Sequence, residues 1–136
     1  MGARHSGREA ALQLLFSMEA SGQTADEAIP GFWHTFEADP EGREYAEAIV
    51  RGVEKTKPEL DALITGAATN WRIERMTRID RNLLRLGAWE LAKRDDVPRA
   101  VVLDEAVELA KSFGSDASAS FVNGVLDAIA DGLKKA

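Results

Sequence analysis

The stretch that most limits how this chain can fold is residues 77–98, "TRIDRNLLRLGAWELAKRDDVP". Ile79, Leu83, Leu86 and Leu91 recur at helical spacing, and Leu84 and Trp89 stand beside that stripe. A helix with two apolar faces has to be covered on more than one side. The stretch therefore predicts a buried central helix with further helices around it. Thr77 is placed to cap its start, with Asp80 three residues on as an imperfect capping box. "RDDVPR" ends it.

The rest of the chain reads as those further helices. β-branched residues are sparse, alanine and leucine dominate, and no convincing strand stands out. A first helix is predicted from near Ser6 to near Ala20, with Ala11, Leu14, Leu15 and Met18 on one face and Gly22 as its stop. Thr24 and Glu27 form a capping box for a second helix that carries Ile29, Phe32, Trp33 and Phe36 despite Pro30. Tyr45, Ile49 and Val53 mark a third helix, and Pro58 restarts the chain as a fourth with Leu60, Leu63 and Ile64. Trp71 and Ile73 lie in a short segment of weak periodicity. After the 77–93 helix, Leu103, Ala106, Val107 and Ala110 define a sixth, ending at Phe113–Gly114. A seventh runs from about Asp116 to Gly132 or beyond, with Val122, Val125, Leu126 and Ile129 inward. About seven helices with short turns predict an all-α bundle.

Composition narrows the function. There are no cysteines, which removes disulfides, thiolate zinc sites and thiol catalysis. No apolar run approaches the roughly 20 residues of a membrane span. The N-terminus lacks a long apolar core and a small-residue cleavage site, so mature protein and a cytoplasmic location are expected. The formal net charge of −6 argues against a general nucleic-acid coat. Positive charge is nevertheless concentrated locally. Residues 71–99 carry eight basic against five acidic groups, and residues 19–70 carry four against eleven. A local patch of that kind can hold a short anionic partner.

Each candidate group has two readings. Arg4, His5 and Arg8 share a face if the N-terminus is helical; they are either a phosphate contact or a solvated helix start. Arg72, Arg75, Arg78, Arg81 and Arg85 are either a basic ridge or stems that cover apolar neighbours and pair with Glu74 and Asp80. His5 and His34 are the only histidines, and no metal-ligand spacing surrounds them. Asp104, Glu105 and Glu108 suit a helix start, and Ser112, Ser115, Ser118 and Ser120 have no histidine nearby. No Gly-rich phosphate loop occurs. No metal, cofactor or catalytic residue is therefore expected. In "ELAKSFGSDASASFVNGVLD", Gly114 can take the left-handed conformation that ends a helix, and Ser115 or Ser118 can cap the next one. Phe121 lies off the inward stripe, where its ring can stack on an unpaired base beside Lys111.

Three blocks resemble the NusB family of bacterial transcription antitermination factors: "ARHSGREAALQLLFSME", "RIDRNLLRLGAWELAKRDDVPRAVVLDEAVELAKSFG" and "FVNGVLDAIA". The resemblance implies one NusB-like RNA-binding domain over 1–136, with packed helical sub-bundles of about 1–70 and 71–136. It implies a non-enzymatic adaptor that binds the single-stranded boxA element of nascent ribosomal RNA together with NusE, a ribosomal protein of the small subunit. The complex would load onto the RNA polymerase elongation complex, and homodimers occur in some members. Matched residue by residue, RNA is expected on Arg4, His5, Arg8, Lys111 and Phe121, with Asn123 structural, and NusE on Asp80, Arg81 and their surroundings. The His5-Ser6-Gly7 run and the nearly uncharged 115–120 loop imply weaker RNA affinity alone and more dependence on NusE. A helical interaction module or homodimer without direct RNA binding is the alternative.

Overall fold

The computed structural model describes residues 2–136. Among them are six α-helices and one 3-10 turn. The helices are α1 (Ala3–Ser21), α2 (Ala25–Thr35), α3 (Pro40–Ala67), α4 (Arg78–Lys93), α5 (Arg99–Phe113) and α6 (Asp116–Leu133), and the turn is Ile73–Arg75. The all-α expectation holds, with one fewer helix than the sequence suggests. The expected third and fourth helices are the single run α3, kinked at Thr56 (φ −113°, ψ 16°). Pro58 explains the kink: it has no N–H for the helical ladder, and its ring crowds the carbonyl four residues back. No helix among the described residues is long and apolar enough to cross a membrane.

The chain divides into two compact units, Met1–Lys55 and Thr56–Ala136. In the first, α1 packs on α2. Gly22 ends α1 in the left-handed conformation (φ 78°), and its N–H donates to the Met18 carbonyl. The expected capping box opens α2. The Glu27 N–H donates to Thr24 Oγ1 at 3.3 Å, and the Thr24 N–H donates to Glu27 Oε1 at 2.9 Å. The Thr24 backbone N–H and then its hydroxyl hold the Glu27 carboxyl below its ordinary range. Two links then tie the start of α2 to α3. The Ala25 N–H donates to Glu54 Oε2 at 2.8 Å, and Arg51 pairs with Asp26 at 2.6 Å.

In the second unit α4, α5 and α6 pack pairwise. Every residue of α4 from Asn82 to Leu91 is buried, as its two apolar faces require. Thr77 caps it, its Oγ1 accepting from the Asp80 N–H at 3.1 Å. A Cβ placed on Gly87 would stand 2.7 Å from a methyl of the fully buried Leu126, so this glycine lets α4 and α6 approach. The expected left-handed stop at Gly114 is not found. Its φ is −128° and ψ −115°, and the only glycine among the described residues at positive φ is Gly22. Gly114 is needed for space instead: a Cβ there would lie 2.9 Å from both the Ala110 carbonyl and Ser118 Oγ. Of the two serines that could cap α6, Ser115 does so, accepting from the Ser118 N–H at 3.1 Å.

Candidate nucleic-acid interface

In the first unit the cationic residues belong to α1. The helix begins at Ala3, so Arg4, His5 and Arg8 all lie within it, and Arg4 and Arg8 share a face at i and i+4. Both reach over the same aromatic ring. Their guanidinium carbons stand 4.9 Å and 5.3 Å from the centre of Tyr45, within cation–π range. Exposure separates them. Arg4 is exposed and His5 partly so, whereas Arg8 is only 3% exposed. Tyr45 thus orders two cations while solvent meets chiefly one. It marks helix periodicity in the sequence, and nothing local announces this second role.

In the second unit Lys111 is exposed in the last turn of α5, where a cation also suits the helix dipole. Phe121 falls in the second turn of α6 and is partly exposed. Its ring meets Trp71 edge to face, with centroids 5.6 Å apart and planes at 67°. Trp71 itself is 57% exposed. The two rings line a cavity of about 270 Å³ that Arg75, Met76, Asp80 and Ser118 also border. Asp80 is only 9% exposed, and its Oδ1 has no hydrogen-bond partner among the described residues. Asp80 and Phe121, expected to serve different partners, therefore share one cavity. Trp71 and Arg75 complete it. Their signal in the sequence is faint: a large aromatic residue outside any apolar stripe, next to the first arginines of the 72–85 series.

That arginine series divides. Arg81 Nη1 donates to the carbonyls of Ile73 at 3.1 Å and Met76 at 2.8 Å, which fastens the 3-10 turn to the start of α4. Arg85 is buried and grips Asp61 with two bonds, Nε to Oδ1 at 2.8 Å and Nη2 to Oδ2 at 3.1 Å. Arg72, Arg75 and Arg78 are exposed. Of the two readings, stems over neighbours describe Arg81 and Arg85, although their partners are carbonyls and Asp61 rather than Glu74 and Asp80. Three cations remain on the surface.

Known proteins resemble this chain over nearly all its length. The sequence model of the NusB family matches residues 5–131. The transcription antitermination protein NusB of Sorangium cellulosum (strain So ce56) is 59% identical over 133 residues, covering 98% of this chain and 95% of that protein. Among solved structures, NusB of T. maritima aligns with a TM-score of 0.84 at 33% identity, covering 94% of this chain and 90% of that one. A NusB chain crystallised as antitermination factors NusB and NusE in complex with double-stranded RNA aligns at 0.88 and 27% identity, covering 97% and 98%. By a family match spanning most of its residues and by that level of identity, the chain belongs to the NusB family.

Proposed function

We propose that this protein is a non-catalytic, cytoplasmic adaptor that binds the boxA element of nascent ribosomal RNA together with NusE and modifies the elongating RNA polymerase. The observation that carries the reading is the pairing of exposed cations with a half-exposed aromatic ring in a chain of this family. Arg4 and Lys111 offer charge, and Phe121 beside Trp71 offers a stacking face. A solved relative bound to both NusE and RNA supports the same partners. Residues 1–136 act as one RNA-binding domain, in keeping with a family match that runs unbroken from 5 to 131.

The RNA-contacting residues are Arg4 and His5 in the first unit and Lys111 and Phe121 in the second. Arg8, buried on Tyr45, steadies the start of α1 and adds long-range charge. NusE meets the start of α4 and its flanks, where Asp80 and Arg81 lie. The test is titration of the chain with a short single-stranded boxA-like RNA, with and without the ribosomal partner. Binding should tighten when the partner is present. Arg4→Glu combined with Lys111→Glu should abolish binding while leaving the helical circular-dichroism signal intact. If that double variant binds RNA like the parent, the cationic reading is lost and a purely protein-binding module remains.

A further inference from the structure

Three rings of the first unit gather at the end of α2. Phe32 and Phe36 stand one turn apart and stack, with centroids 5.0 Å apart and planes at 21°. Trp33 meets both edge to face, at 5.1 Å and 6.2 Å. Each of the three is partly exposed, although phenylalanines on the same stripe as a buried Ile29 are usually covered. Trp33 is fixed from α3. Glu47 Oε2 accepts from its Nε1 at 3.0 Å, and the Arg43 guanidinium carbon stands 5.1 Å from its ring centre. Arg43 is anchored in turn by donating from Nε to the Ala38 carbonyl at 3.3 Å. Trp33 is therefore a guanidinium site that the chain itself already fills. Among the described residues no cation stands over Phe32 or Phe36.

Charge says what the open rings can take. From Asp26 to Glu47 the chain has seven carboxylates and one guanidinium, Arg43. Four of the carboxylates are engaged: Asp26 by Arg51, Glu27 by Thr24, Asp39 by the Gly42 N–H and Glu47 by Trp33. Glu37, Glu41 and Glu44 are exposed and have no bonding partner among the described residues. Glu37 follows Phe36 directly, and Glu44 lies one turn before Glu47 on α3. Such a surface repels phosphate, and a second copy docking through the same face would set carboxylate against carboxylate. It attracts a cation with a flat, weakly hydrated head, which is the chemistry of arginine. We propose that the Phe32–Phe36 face, flanked by Glu37 and Glu44, docks an arginine-bearing basic segment of a partner protein. The guest guanidinium stacks on the rings as Arg43 does on Trp33, and a carboxylate pairs with it. This surface shares no residue with those proposed for RNA and NusE, so it stands independently of that reading.

The test titrates the whole chain with two fluorescently labelled peptides of equal length, one alternating arginine with glycine and the other lysine with glycine. The parent protein should hold the arginine peptide about fivefold more tightly or better, because the guanidinium stacks where the ammonium does not. Phe36→Ala should remove that preference while the helical circular-dichroism signal stays intact. Glu37→Lys combined with Glu44→Lys changes only exposed residues and guards against a folding defect in the ring variant. It should weaken both peptides by about tenfold. A parent protein that binds neither peptide, or binds the two alike, overturns the proposal. So does an arginine preference that survives Phe36→Ala, or an unchanged affinity in the charge-reversed variant. If Phe36→Ala instead weakens single-stranded RNA, or dissolves a dimer seen by sedimentation, the face belongs to RNA or to a second copy and the proposal fails.

Discussion

At the scale of single residues, Phe121 shows what one side chain contributes. It is partly exposed beside Trp71, and its ring is the face proposed to take a base. Phe121→Ala should weaken RNA binding by about 1–3 kcal/mol, read by titration alongside a melting curve. Unchanged affinity with an intact fold would remove Phe121 from the interface. Glu27 illustrates a different use of a side chain. Its bonds to Thr24 lower its pKa in the folded state relative to the unfolded chain. The unfolded state then binds more protons as the solution is acidified. This stabilisation is present above the ordinary carboxylate range and is lost as pH falls through the lowered folded value. Urea midpoints measured through the acid range should therefore fall less steeply for Glu27→Gln than for the parent. Identical slopes would mean that the capping box carries no pH dependence. The effect is small because the group is exposed.

Elements are where local chemistry and packing meet. The caps at Thr24 and Thr77 were legible because capping involves groups three residues apart, and the structure contains both bonds. At Gly114 the local rule misled: a glycine after a helix suggests a left-handed turn, but here crowding by the Ala110 carbonyl and Ser118 selects the residue. Gly87 belongs to the same class. Nothing in "LRLGAWE" marks it as more than a weak point in a helix. Its reason is Leu126 on α6, fully buried, whose methyls would lie within 2.8 Å of a Cβ at this position. Gly87→Ala would gain up to about 1 kcal/mol of helix propensity, yet overpacking costs about 1–3 kcal/mol. A net loss of stability is expected in urea unfolding. A gain would show that α4 and α6 can part without strain.

For the whole molecule the relevant quantity is charge. A net −6 opposes RNA at long range, while the exposed cations attract it locally. Binding through so small a patch should release few counterions. The logarithm of the association constant should fall with the logarithm of salt at a slope set by about three to five phosphates, with about 0.7 per phosphate for a single strand. A flat salt dependence would sink the electrostatic picture. A far steeper one would mean that many more cations take part than Arg4, Lys111 and the surface arginines between 72 and 78. Adding NusE should raise affinity without removing this dependence.

The amino-acid sequence alone determined the all-α class, the helix caps and stops at Gly22, Thr24 and Thr77, the burial of the 79–91 helix on more than one side, and the family. Each of these rests on residues within a turn or two of one another, or on a run of them read in order. Tertiary structure alone decided that Arg8 is buried on Tyr45, that Arg81 is spent on the carbonyls of Ile73 and Met76, and that Asp80 shares a cavity with Trp71 and Phe121. Those outcomes depend on how side chains from separate helices and turns fill one space. Local periodicity says which face of a helix turns inward, and it carries no information about which distant side chain arrives to meet it.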